Sequence, residues 1–190
     1  MIRRFRAITL ACGLALNLTA CGGPSETELL ASARVLLDKR DTKGAIIQLK
    51  SALQKKPDSA EARLLLGQTL LQVGDPVSAL VELRKAQELQ APDEKVIPAI
   101  AGAMLLVGEE SKLVAQYGNT QLKASEPAAE LKSALAAAYA SQGDNDKARA
   151  TAEEALRLKP GYANALLVLA GVKLASNDLD GALALLDQAL

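Results

Sequence analysis

AEARLLLGQTLLQVGDPVSALVELRKAQELQAP, residues 60–92, decides the fold. Apolar residues recur at helical spacing on both sides of Gly74-Asp75, so the stretch reads as two amphipathic helices joined by a tight turn. Glycine can take the left-handed conformation that ends the first helix, and aspartate can cap the second. Pro92 then stops the second helix, having no N–H to give and clashing with the preceding turn.

The pattern repeats outward in both directions about every 34 residues. A small residue recurs as Ala33, Gly67, Gly102, Ala136 and Ala170, where the two helices of a hairpin approach. A second series is Ala45, Ala79, Val114, Ala148 and Ala182, and a third is Ala52, Ala86, Gln121, Ala155 and Ala189. Helix-ending prolines are expected at Pro57, Pro92, Pro127 and Pro160, and turns also at Gly143-Asp144 and Asn177-Asp178. Ser25 and Glu28 have capping-box spacing and should start the first helix.

Hairpins of this period resemble tetratricopeptide repeats. The expected fold is all-α, a solenoid with units at about 26–59, 60–94, 95–128, 129–162 and 163–190. The large position of the first helix holds an aromatic only at Tyr139, against Leu36, Leu70, Leu105 and Lys173. The third unit is the most degenerate, with Glu109-Glu110 at the turn and Gly118 where a large residue belongs, so its hairpin should be the loosest. The fifth ends without a polar cap, its Leu183, Leu185, Leu186 and Leu190 lining one side, which suggests a fragment of a longer array.

Composition agrees with helices alone. The 190 residues are 49 % hydrophobic but 2 % aromatic, and the apolar share is carried by the strong helix formers alanine and leucine. No stretch alternates cleanly between apolar and polar as a half-buried strand would.

The first residues read differently. Arg3, Arg4 and Arg6 precede an apolar run from Ala7 to about Ala15 or Leu16, a secretory pattern too short to span a bilayer as a helix. Arg3-Arg4 lacks the usual twin-arginine spacing. Leu18-Thr19-Ala20-Cys21 resembles the lipobox of bacterial lipoproteins. That resemblance implies cleavage after Ala20, removal of residues 1–20, a diacylglyceryl thioether on Cys21, acylation of the new N-terminus, and a tether at 21–25. Cys12 would leave with the leader, so Cys21 has no disulfide partner in the mature chain. Gly22 rather than aspartate follows the cysteine, which by the same resemblance implies an outer-membrane anchor facing the periplasm. Loss of the three arginines from 22 basic residues leaves 19 against 22 acidic, a net charge of about −3. A nucleic-acid partner would need a concentrated basic face instead.

Without histidine, neither Ser-His-Asp nor Cys-His chemistry is available, and the usual zinc ligand sets cannot be assembled. No phosphate-binding glycine motif occurs. Glu153-Glu154 and Asp144 with Asp146 are expected to be solvated or to complement helix dipoles. The reading is of a binding protein without enzyme activity, cofactor or metal. Its candidate contacts are side chains of the first helix of each hairpin, which lines the inner face: Arg34, Leu37, Glu61, Leu64, Gln68, Gln72, Leu106, Leu167 and Leu174. They do not form the Lys/Asn/Arg clamp with which some tetratricopeptide domains hold C-terminal carboxylates.

The run from Glu28 to Leu89, ELLASARVLLDKRDTKGAIIQLKSALQKKPDSAEARLLLGQTLLQVGDPVSALVELRKAQEL, with the lipobox upstream and Ala91-Pro92-Asp93 downstream, is similar to the TPR lipoprotein of the PEP-CTERM/exosortase system. Members are longer arrays. The resemblance implies an envelope scaffold binding protein partners in exopolysaccharide production or export, or in sorting PEP-CTERM proteins. A lipoprotein serving assembly of pilus secretin or outer-membrane proteins is the alternative.

Overall fold

A computed structural model describes residues 23–190; Cys21, the Ala20 cleavage site and the leader lie outside the described residues. Those described form ten helices and no strand, in five pairs. The pairs are α1 (Glu26–Asp38) with α2 (Thr42–Lys55), α3 (Ala60–Gln72) with α4 (Pro76–Glu88), α5 (Asp93–Leu106) with α6 (Glu110–Tyr117), α7 (Ser125–Ser141) with α8 (Asn145–Leu158), and α9 (Ala163–Ala175) with α10 (Leu179–Ala189). None is long and apolar enough to cross a membrane. Odd-numbered helices also touch one another, α3 with α5, α5 with α7 and α7 with α9, which puts them on the inner side.

Every hairpin turns in the same way. One residue takes positive φ: Arg40 at 60°, Gly74 at 78°, Gly108 at 75°, Gly143 at 78° and Asn177 at 61°. The next N–H reaches back to the first helix, Asp75 to Leu70 O at 2.9 Å and Asp144 to Tyr139 O at 3.0 Å. In four of the five an aspartate carboxylate then caps the second helix, accepting from Gly44, Ser78, Lys147 or Gly181. Arg40-Asp41, a turn without glycine or asparagine, follows the same geometry. Ser25 and Glu28 make the expected capping box.

These turns correct the register of the third unit. Glu109 N reaches Met104 O at 2.8 Å, so Met104, not Leu105, matches Leu36, Leu70, Tyr139 and Lys173. The residue at the close crossing is then Ala101, fully buried, rather than Gly102, where an added Cβ would meet nothing within 4 Å. At Gly67 the same Cβ would lie 2.5 Å from Leu83 Cγ. In the second series the equivalent residue is Leu113 rather than Val114, since its N–H bonds Glu109 O as Ala79 N–H bonds Asp75 O. Leucine there is bulkier than the alanines of the other hairpins. Its helix α6 spans 8 residues, and Glu109 makes no side-chain cap bond.

The third unit carries its extra residue in the segment 118–124, which is not helical and includes the exposed Gln121. Pro127 ends no helix: it lies in the first turn of α7, where a missing N–H costs nothing, and α7 starts at Ser125, inside the stretch assigned to the third unit. Pro98 sits inside α5.

The other small residues are buried as their spacing requires: Ala33, Gly67, Ala136 and Ala170, then Ala45, Ala79, Ala148 and Ala182, then Ala52, Ala86 and Ala155. Ala189 is half-buried.

Candidate partner-binding groove

The inner face is built by one position of each odd-numbered helix meeting another position on the next. In turn register, the residue one after the small crossing residue is Arg34, Gln68, Gly102, Ala137 and Gly171. The residue six before it is Glu61, Lys95, Glu130 and Asn164 on α3, α5, α7 and α9. Successive helices bring these sets together as Arg34 with Glu61, Gln68 with Lys95, Gly102 with Glu130, and Ala137 with Asn164.

The first two meetings form one cavity of about 410 Å³. It collects four of the residues expected from sequence, Arg34, Glu61, Leu64 and Gln68, and adds Gln90 and Lys95. Arg34 and Glu61 form an ion pair with both side chains half exposed, a geometry that contributes little to stability. Leu64 is buried at 6 % exposure, so it forms the floor. The cavity offers amides, a lysine and an apolar base.

The last two meetings form a second cavity of about 250 Å³ between α5, α7 and α9. Pro98, Gly102, Leu105, Ala134, Ala137 and Val168 give it apolar walls, and Glu130, Ser133, Tyr162 and Asn164 are its polar members. Burial raises the Glu130 carboxyl above its usual range; Glu126 adds to this and Lys159 opposes it. Burial likewise raises the Tyr162 hydroxyl, against a hydrogen bond donated by Asn164 Nδ2 at 3.3 Å. Lys159 pairs with Glu126 and lies 4.9 Å from the Tyr162 ring centroid.

The remaining sequence candidates are not gathered into either cavity. Leu37 is half-buried late in α1, and Gln72 is exposed at the end of α3. Leu106 is 66 % exposed, and it is its neighbour Leu105 that lines the second cavity. Leu167 and Leu174 are 49 % and 50 % exposed on one side of α9. The one-residue slip in the third unit put Gly102 at the helix crossing and so hid its place in this cavity, while Glu130 and Asn164 follow from Glu61 by the turn register. Counting from Gly74-Asp75 to Gly108-Glu109 would have found it. Among the described residues no group of three or more His, Cys, Asp or Glu side chains is placed to hold a metal ion.

A family model described as tetratricopeptide repeat matches residues 36–101 and 139–190. The unmatched interval holds α6, the off-register segment and most of α7. A subunit of the anaphase-promoting complex, subunit 7, from Arabidopsis thaliana is 26 % identical over 168 residues, 87 % of this chain. The chain spans 30 % of that relative's length. Among solved structures, MamA is 24 % identical with a TM-score of 0.65, over 87 % of this chain and 90 % of its own. PilW, described as a widely conserved type IV pilus biogenesis factor, is 15 % identical with a TM-score of 0.71, over 86 % and 76 %. At these identities the likeness to solved structures is one of fold.

Proposed function

The chain belongs to the tetratricopeptide-repeat family, and from that premise we propose that it is a lipid-anchored scaffold that holds extended segments of envelope proteins along its inner face. One observation carries this reading: two cavities open along the same row of odd-numbered helices, mixing apolar floor with amides and isolated charges. Apolar ground with a few placed polar groups is the usual make-up of a recognition site. The anchor is Cys21, on the strength of the lipobox and the leader before it. Each buried CH₂ adds roughly 0.8 kcal/mol to membrane binding, so several acyl chains hold a protein that one would not. Gly22 favours the outer membrane, facing the periplasm.

The finer assignment is to the PEP-CTERM/exosortase system, in exopolysaccharide production or export. It rests on the similarity of residues 28–89 and of the lipobox. The pilus alternative has the fold of PilW behind it, and fold alone does not carry a function.

Photo-cross-linking in cells, using the full chain with a photoreactive residue at Gln68 or at the outward Ile47, tests the scaffold. Adducts from Gln68 and none from Ile47 are expected. Adducts from Ile47 alone would move the partner to the outer face. Polymerase, export or sorting proteins among the adducts support the finer assignment, whereas secretin or outer-membrane assembly proteins replace it. Cys21→Ser should release the protein from membranes with its helical signal unchanged; wild-type protein that takes up no labelled lipid would remove the anchor.

A further inference from the structure

The two cavities of the inner face differ in one respect that the repeat register makes plain. In the first, the carboxylate Glu61 on α3 meets Arg34 on α1, and the pair closes on itself. In the second, Glu130 occupies the equivalent place on α7, and the residue equivalent to Arg34 is Gly102. A Cβ at Gly102 would meet nothing within 4 Å, so the space an arginine would fill is open. Glu130 forms no ion pair among the described residues. The nearby cation, Lys159, is bonded to Glu126 and rests on Tyr162.

We propose that the cavity between α5, α7 and α9 is a subsite for one basic side chain, lysine or arginine, of a protein segment lying along the inner face, with Glu130 as its counter-ion. This rests on the scaffold reading above and names the chemistry of the partner. The size fits: about 250 Å³ lies below the roughly 300–1,000 Å³ typical of sites for whole small molecules and suits a single side chain. The lining fits as well. Leu105, Ala134, Ala137 and Val168 would cover the aliphatic stem, as such stems cover apolar surface elsewhere. The Tyr162 hydroxyl and Asn164 stand beside the carboxylate to take up the donors of the charged head. Glu130 is already partly withdrawn from water, so an arriving cation meets a carboxylate whose charge is poorly solvated. An acidic side chain would be repelled by Glu130.

The test is selection of a phage-displayed dodecapeptide library on the full chain in mild detergent, comparing wild type with Glu130→Gln and Gly102→Arg. The second variant supplies the missing cation from within and so recreates the Arg34–Glu61 arrangement. Wild type should enrich peptides carrying lysine or arginine at one fixed position, and both variants should lose that preference while melting no lower than wild type. For a selected peptide, replacing that residue by norleucine should weaken binding to wild type by about tenfold or more, and binding to Glu130→Gln hardly at all. Enriched peptides without a basic position, or a basic preference that survives in both variants, would overturn the subsite and leave the groove standing. Failure of every version to enrich any peptide would overturn the scaffold reading along with it.

Discussion

Gly67 and Gly102 sit one position apart in the repeat, and that step inverts the effect of adding a methyl group. A Cβ at Gly67 enters a closed helix crossing, against Leu83 Cγ at 2.5 Å and Ala79 O at 3.2 Å, whereas at Gly102 it enters open space. Gly67→Ala should lose about 1–3 kcal/mol to overpacking. Gly102→Ala should gain about 1 kcal/mol, since glycine inside a helix is the less favourable of the two. Urea denaturation of both variants decides it, and shifts of the same sign would sink the corrected register. Glu130 gives a second test. Its carboxyl titrates above the ordinary 4.5, so between that value and the raised one the folded chain holds a proton that the unfolded chain has released. Stability therefore falls as pH rises through that window. Glu130→Gln should melt higher than wild type at neutral pH and lose the advantage below the ordinary value; equal melting at every pH would contradict it. What sequence conveyed at this scale was the spacing of small residues. In four of five units burial follows it, save at the half-buried Ala189, because alanine and glycine are the residues that allow a close crossing. It slipped in the third, where Leu113 stands in an alanine's place and the smaller Val114 beside it draws the alignment forward.

That leucine governs an element as well as a register. Helix α6 is short, lacks a side-chain N-cap bond, and packs less closely on its partner α5 than the other second helices do on theirs. Its ties run to other helices instead. Glu109, too long to cap in the manner of aspartate, pairs with Arg84 on α4 as well as with Lys112 of α6 itself, and Tyr117 donates to Gln87 Oε1 at 3.0 Å. The segment after it is held from the start of α5: Glu94 Oε1 accepts from Lys123 N at 2.7 Å and Ala124 N at 3.4 Å. A glutamate, a tyrosine and a glutamine scattered over 30 residues form no visible pattern, so sequence marked this unit as loose without revealing what secures it. Hydrogen bonds to a charged group are worth about 1.5–3 kcal/mol. Glu94→Ala should therefore raise tryptic cleavage after Lys123 roughly tenfold, by making local opening more frequent while the global melt moves little. Cleavage at the wild-type rate would leave the segment held by something other than Glu94.

Across the whole chain, stability is graded by what each hairpin buries. In a solenoid it is approximately the sum of repeat terms and nearest-neighbour interface terms. The largest fully buried side chains, among them Leu49, Leu83, Ile100, Met104, Leu131 and Leu135, all precede Ala136. Beyond that point the residues most deeply buried are alanines, Ala148, Ala152, Ala155, Ala165, Ala170 and Ala182. A buried leucine contributes about 1.5–3 kcal/mol and a single methyl about 0.8 kcal/mol, so α8, α9 and α10 rest on the thinner core. The described array should therefore unfold in two stages, with α8 to α10 first. Hydrogen exchange followed by mass spectrometry across a urea series should find α9 and α10 exposed while α3 to α5 remain protected. Leu166, 3 % exposed, lies on α9 within the thinner block, whereas Leu83 belongs to the larger core of the earlier hairpins. Leu166→Ala, costing about 2–5 kcal/mol, should advance the first stage, whereas Leu83→Ala should advance the second and leave α9 and α10 exchanging as before. If both substitutions moved a single transition equally, the chain would be one cooperative unit, and the exchange of leucine for alanine along it would not divide its stability.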